Sequence, residues 1–184
     1  MYDLVFVGRF ATAKRVSDII DVVSILTKRG KKIEVALIGD GPQRMFLEQK
    51  TEKLGLSKCI HIFGFLDEDT KYSIISNSKI IILPSEREGF SLSTLEAMAL
   101  GCIPIVSKPK FDGVFGVSHF VKNDENGMYY SVGNLNELSQ AITSCLDNLE
   151  TSQLMSFKAT ETSKLYTISE MARKIHDILE QLTP

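Results

Sequence analysis

The 184-residue sequence has little of what usually announces a function. It holds three cysteines, Cys59, Cys102 and Cys145, an odd number without metal-like spacing. A disulfide framework is excluded, and each cysteine lies in or beside an apolar run. Reduced, buried thiols in a cytosolic setting are expected. The histidines His61, His119 and His176 share no metal-like spacing either. No apolar run approaches the ~20 residues of a membrane span, and no signal peptide is visible. Charge of neither sign dominates; the net value is −2, which gives no reason to expect nucleic acid or an acidic partner. There is no Gly-x-Ser-x-Gly elbow, no evident Cys/His dyad, no internal repeat and no low-complexity linker.

What is present is an ordinary globular composition, 43% hydrophobic and 24% charged. A chain of this length forms one domain and buries a core without staples. Leu4-Val5-Phe6-Val7 is a continuous apolar run, as in a buried parallel strand. Val16, Ile19, Ile20, Val23 and Leu26 then recur at helical spacing, with Gly30 placed as a cap. A second strand over residues 33–38 runs into Gly39-Asp40-Gly41-Pro42, with Pro42 expected as a first helical residue. Further strands are expected at 60–63, 80–83, 103–106 and 128–130, with helices between them. Asn134 or Asn136 caps a helix carrying Leu138, Ile142, Cys145, Leu146 and Leu149, and two more helices close the chain. Residues 107–121 suggest a long functional loop with Gly113, Gly116 and two lysines near Pro109. The alternation predicts an α/β fold: a Rossmann-like parallel sheet of about six strands with helices on both faces.

In such sheets ligands bind at the carboxyl ends of the strands. Gly8, Arg9 and Lys14 follow the first strand, and an arginine fork with a lysine point charge suits a diphosphate. Two solvated cations are the plainer reading. Gly39-Asp40-Gly41 lacks the third glycine of a dinucleotide fingerprint, since position 44 is Arg44, so it reads as turn chemistry. Gly64 and Phe65 follow the third strand. After the fourth, Glu88 and Glu96 stand on either side of Gly89, Phe90, Ser91, Leu92 and Ser93. Amides at such a helix start bind phosphate. Glu96 suits a ribose diol, but Ser93-Thr94-Leu95-Glu96 is also a capping box. Glu86 and Glu88 flank Arg87, so a surface salt bridge is the alternative for Glu88. His119 is a weak catalytic candidate without a visible partner.

Taken in order, these motifs resemble the nucleotide-binding half of GT-B retaining glycosyltransferases, in particular family 4, the "group 1" set. Val7-Gly8-Arg9-Phe10 with Lys14, Leu37-Ile38-Gly39-Asp40-Gly41-Pro42, Ile62-Phe63-Gly64-Phe65-Leu66, and the Glu88-to-Glu96 spacing followed by Ala97-Met98-Ala99-Leu100-Gly101 carry the resemblance. It implies that residues 1–184 are a C-terminal donor-binding domain, with an N-terminal acceptor domain absent. Arg9 and Lys14 would hold the donor diphosphate and stabilise the leaving nucleotide. Glu88, with the backbone of Gly89 and Phe90, would bind the transferred sugar; Arg9, Lys14 and Glu88 are the implied catalytic set. Glu96 would bind the ribose, amides near Ser91, Leu92 and Ser93 the phosphates, and the backbone near Gly64 the base, with Gly8 also among the nucleotide-sugar-binding residues. The donor is a nucleoside-diphosphate sugar, with no metal or cofactor. The acceptor is a glycan or lipid-linked molecule in polysaccharide biosynthesis, cytoplasmic or peripheral at the cytoplasmic face of a membrane. His119 stands where such enzymes commonly have a glutamate. A stand-alone nucleotide-sugar-binding module, a partner-docking subunit and a nucleotide-sugar epimerase are the alternatives.

Overall fold

The computed structural model describes residues 1–108 and 116–182. Gly113 and the lysine beyond Pro109, part of the expected loop, lie outside the described residues. Six strands form one sheet: β1 Tyr2–Val7, β2 Val35–Ile38, β3 Ile60–Phe63, β4 Ser78–Leu83, β5 Ile103–Lys108 and β6 Met128–Ser131. Their order is β3-β2-β1-β4-β5-β6 and every pairing is parallel. The chain winds outward from β1 through β2 to β3, then crosses to β4 on the other side of β1. The connections leaving β1 and β4 therefore diverge and open a crevice at the sheet's carboxyl edge.

Among the described residues seven α-helices accompany the strands: α1 Ser17–Lys28, α2 Arg44–Lys53, α3 Glu68–Ser76, α4 Leu92–Ala99, α5 Leu135–Asp147, α6 Leu149–Lys164 and α7 Ile168–Leu182. Alternate strand residues sort onto two faces. Leu4, Phe6, Leu37, Ile80, Ile82 and Ile105 pack against apolar residues of α1, α2 and α5. Val5, Ala36, Ile38 and Ile81 pack against Ile75 of α3 and Ala97 of α4. Helix α6 lies along α4: Ser156 and Thr160 donate to the carbonyls of Gly101 and Met98. Both faces are covered, so the central strands read as unbroken apolar runs rather than alternating ones. Cys102 and Cys145 are buried and Cys59 is half-buried; all three are free thiols.

Several local expectations are corrected. Helix α2 starts at Arg44 behind Gln43, so Pro42 lies in the preceding turn. Strand β2 begins at Val35, two residues late, although Ile33 is buried ahead of it. Leu149 opens α6 and is 71% exposed instead of closing α5. Asn134 caps α5 by accepting from the Glu137 amide, which settles that alternative. Ser107 and Lys108 belong to β5, and Gly116–His119 form a 3-10 turn, so only part of the 107–121 stretch was open to a loop reading.

Candidate functional site

Two neighbouring loops build the first wall. After β1 the chain passes Gly8, Arg9 and Phe10 and enters a 3-10 turn, Thr12–Lys14. After β2 it passes Gly39, Asp40 and Gly41. The loops are locked by backbone hydrogen bonds from Gly8 N to Ile38 O (3.0 Å), Phe10 N to Asp40 O (2.9 Å) and Gln43 N to Phe10 O (2.9 Å). A Cβ on Gly39 would lie 1.9 Å from the Gly8 carbonyl oxygen, and Gly39 has φ +143°. The glycines thus serve close approach of two chains, in keeping with turn chemistry.

These loops, with Gly64, Phe65, Leu66 and Lys71 beyond β3, line a cleft of about 720 Å³. Arg9 lies on its wall, exposed, and its guanidinium has no partner among the described residues. Phe65 is 88% exposed at the same cleft.

Lys14 leaves the 3-10 turn toward the loop that follows β4. Its Nζ meets Glu88 Oε2 at 2.5 Å, with the two side chains 28% and 14% exposed. Ser85 Oγ donates to the same oxygen at 3.2 Å, and the Glu86 amide donates to the Ala13 carbonyl at 2.9 Å. The motifs after β1 and β4 are therefore one structure. Glu86 pairs with Arg15, and Glu88 with Lys14, so the Arg87 salt bridge is not formed. Arg15 also holds Asp18. Its hydrogen bond to Asp18 holds the guanidinium above its ordinary range, while burial lifts the Asp18 carboxyl although Arg15 pulls it down.

Gly89 and Phe90 are fixed from behind. A Cβ on Gly116 would fall 1.8 Å from the Gly89 oxygen, so the 3-10 turn rests directly on the loop. Phe90 is 43% exposed and stands edge-on to Phe120, with ring centres 5.3 Å apart, and near Tyr166 at 6.0 Å. Tyr166 donates to the His119 carbonyl at 2.9 Å. His119 itself is exposed on the turn, so its place is on this supporting shelf.

Ser91 is the N-cap residue of α4, and no side chain caps the helix. The Ser91 hydroxyl instead meets Thr94 at 2.9 Å and Ser93 at 3.3 Å. Leu92, the first helical residue, is 66% exposed. With Ser91 as N-cap, Glu96 is the fifth helical residue and lies beyond capping reach, which overturns the capping-box alternative. Its carboxylate is bound from α3: Lys71 Nζ at 3.3 Å and Tyr72 OH at 3.2 Å. Burial lowers the Lys71 pKa, but the charge and hydrogen bond of Glu96, with Tyr72, outweigh it and raise the ammonium above its usual range.

Among the predicted site residues, Gly8, Arg9 and Gly64 line the cleft, Lys14 and Glu88 meet each other outside its lining, Ser91, Leu92 and Ser93 form the start of α4, and Glu96 is held by α3. Sequence reasoning missed Lys71, Tyr72, Phe120 and Tyr166. Their only signal is tertiary, since none belongs to a motif. Among the described residues no three His, Cys, Asp or Glu side chains converge as a metal site requires, and no helix is long and apolar enough to cross a membrane.

A six-stranded parallel sheet in the order β3-β2-β1-β4-β5-β6, with cations after β1 and carboxylates on either side of the α4 start, defines a doubly wound, Rossmann-like α/β protein. Residues 2–162 match the model of the glycosyl transferases group 1, and the chain belongs to that family. It is 27% identical over 180 residues to an alpha-D-kanosaminyltransferase of Streptomyces kanamyceticus, covering 97% of this chain and 45% of that protein. It superposes on HepE of Anabaena, crystallised in complex with UDP, with a TM-score of 0.84 at 19% identity, covering 98% of this chain and 49% of that one. It also superposes on the C-terminal domain of a glycosyl transferase group 1 family protein of Francisella tularensis, with a TM-score of 0.79 at 24% identity, covering 91% and 87%. The chain spans about half or less of the length of the curated relatives it matches.

Proposed function

We propose that this chain is the donor-binding half of a retaining glycosyltransferase that moves a sugar from a nucleoside diphosphate to a glycan or lipid-linked acceptor. The observation that carries the reading is the Lys14–Glu88 contact, which joins the cationic turn after β1 to the loop after β4. A donor laid along the carboxyl edge has its nucleoside in the cleft at Gly64, its diphosphate at Gly8, Arg9 and the uncapped amides of α4, and its sugar at Glu88, Gly89 and Phe90. Arg9, Lys14 and the helix end supply the positive charge that a departing diphosphate needs, so the donor site calls for no metal. Glu88 is held between Lys14 and Ser85, oriented to accept from sugar hydroxyls once Lys14 turns to the phosphate. The other half of the enzyme would bring the acceptor, working in the cytoplasm or at the cytoplasmic face of a membrane.

A thermal-shift panel of UDP-, GDP- and ADP-sugars tests the reading on this chain. UDP-glucose is the first probe, because HepE was crystallised with it. One nucleotide class is expected to raise the melting temperature, with stabilisation of ~2.7 kcal/mol at a hundredfold excess over Kd. A panel in which no nucleotide shifts the transition at millimolar concentration contradicts it.

A further inference from the structure

We propose that Lys71 and Tyr72 are positioning residues that let the site distinguish a ribonucleoside diphosphate from its 2′-deoxy form. They do so by fixing both oxygens of the Glu96 carboxylate. The inference rests on the donor-site reading above, in which Glu96 meets the ribose.

The arrangement is specific to atoms. Lys71 Nζ takes Glu96 Oε2 at 3.3 Å and Tyr72 OH takes Oε1 at 3.2 Å. One donor on each oxygen stops the carboxylate from rotating and leaves each oxygen a further acceptor position. Two fixed acceptors on one carboxylate match two neighbouring hydroxyls. Lys71 also lines the cleft beside Gly64, Phe65 and Leu66, so the network reaches the space where the nucleoside would lie. Its side chain is only 17% exposed, and its ammonium sits 4.2 Å from the Tyr72 ring centre. Glu68, the other carboxylate near it, is 80% exposed at 4.0 Å and cannot compete with Glu96 for orientation. Of α3 only Ile75 is fully buried; Tyr72 packs with its ring against the edge of that cluster, which leaves its hydroxyl to Glu96. A freely rotating carboxylate could serve either hydroxyl alone. A fixed one serves both, so loss of the 2′-hydroxyl strands an acceptor, and that is where discrimination arises.

The test is calorimetry of the full chain with UDP, GDP and ADP and with dUDP, dGDP and dADP. The native chain is expected to bind its preferred ribonucleotide about tenfold or more tightly than the deoxy form. Lys71→Met is expected to bring that ratio to within about twofold while keeping most of the affinity for the deoxynucleotide. Tyr72→Phe, which removes one hydroxyl, is expected to lower the ratio by about threefold, and it carries the test alone if Lys71→Met does not fold. An unchanged ratio overturns the inference. So do equal losses for both nucleotides, which mark a merely structural or phosphate-binding role. A native chain that binds none of the six overturns the donor-site reading itself, and this inference with it.

Discussion

Lys14 and Glu88 are 74 positions apart and meet through opposite charges at 2.5 Å. Arg9, five residues before Lys14, has no such partner among the described residues. The two cations are thus held differently: Arg9 is exposed, and Lys14 is held beside a carboxylate. At the other extreme are residues kept from any chemistry. Burial pushes the Cys102 thiol up to about 12 and the Cys145 thiol up to about 11. Because the folded pKa of Cys102 lies above its ordinary value of 9.0, its contribution to stability is full below pH 9 and is lost as pH rises toward 12. Iodoacetamide at pH 8 is therefore expected to alkylate Cys59 in the native chain, with Cys102 and Cys145 labelled only after denaturation. Native labelling of Cys102 at the rate of Cys59 would contradict that placement.

At the level of elements, the site depends on how closely the turns after β1 and β2 approach. Gly39→Ala would drive a Cβ to 1.9 Å from the Gly8 oxygen and strain a φ of +143°. It is expected to cost about 3 kcal/mol or more in urea unfolding. A cost under about 1 kcal/mol would show that the two turns separate easily. The supporting shelf makes a second expectation. Tyr166→Ala removes both the ring near Phe90 and the bond to His119. Amide hydrogen exchange in residues 88–91 should quicken while β1 stays protected; equal quickening in both would mean general loosening.

The elements that were legible in the sequence are those whose signal is local. Strands β1, β4 and β5 are continuous apolar runs because both faces of the sheet are covered, and α1 shows its buried stripe directly. The start of α5 was legible to within two residues, as Asn134 or Asn136, and the structure uses Asn134. What escaped depends on contacts distant in sequence. Lys71 and Tyr72 lie 25 and 24 positions from Glu96, and no spacing rule connects them. The start of α4 was ambiguous because Ser91 and Ser93 are equally good caps by residue type. The fold chose Ser91, and with it released Glu96 from the backbone. The break between α5 and α6 was blurred for a like reason, since Leu149 keeps the apolar period of α5 yet faces solvent.

Across the whole molecule, the parallel order β3-β2-β1-β4-β5-β6 gathers four separate motifs on one edge. None of them is diagnostic alone. Their sequence order and the crossing from β3 to β4 bring them together, which is why the family was readable before the geometry was. The proposed seat of a donor diphosphate is the β1–β4 crevice, and Arg9 tests that proposal most directly because its side chain supports nothing else among the described residues. Calorimetry of Arg9→Ala against the native chain, with whichever of UDP, GDP and ADP binds best, should show a loss of ~1.5–3 kcal/mol in binding free energy at unchanged melting temperature. Unchanged affinity would contradict the assignment of the diphosphate to this crevice.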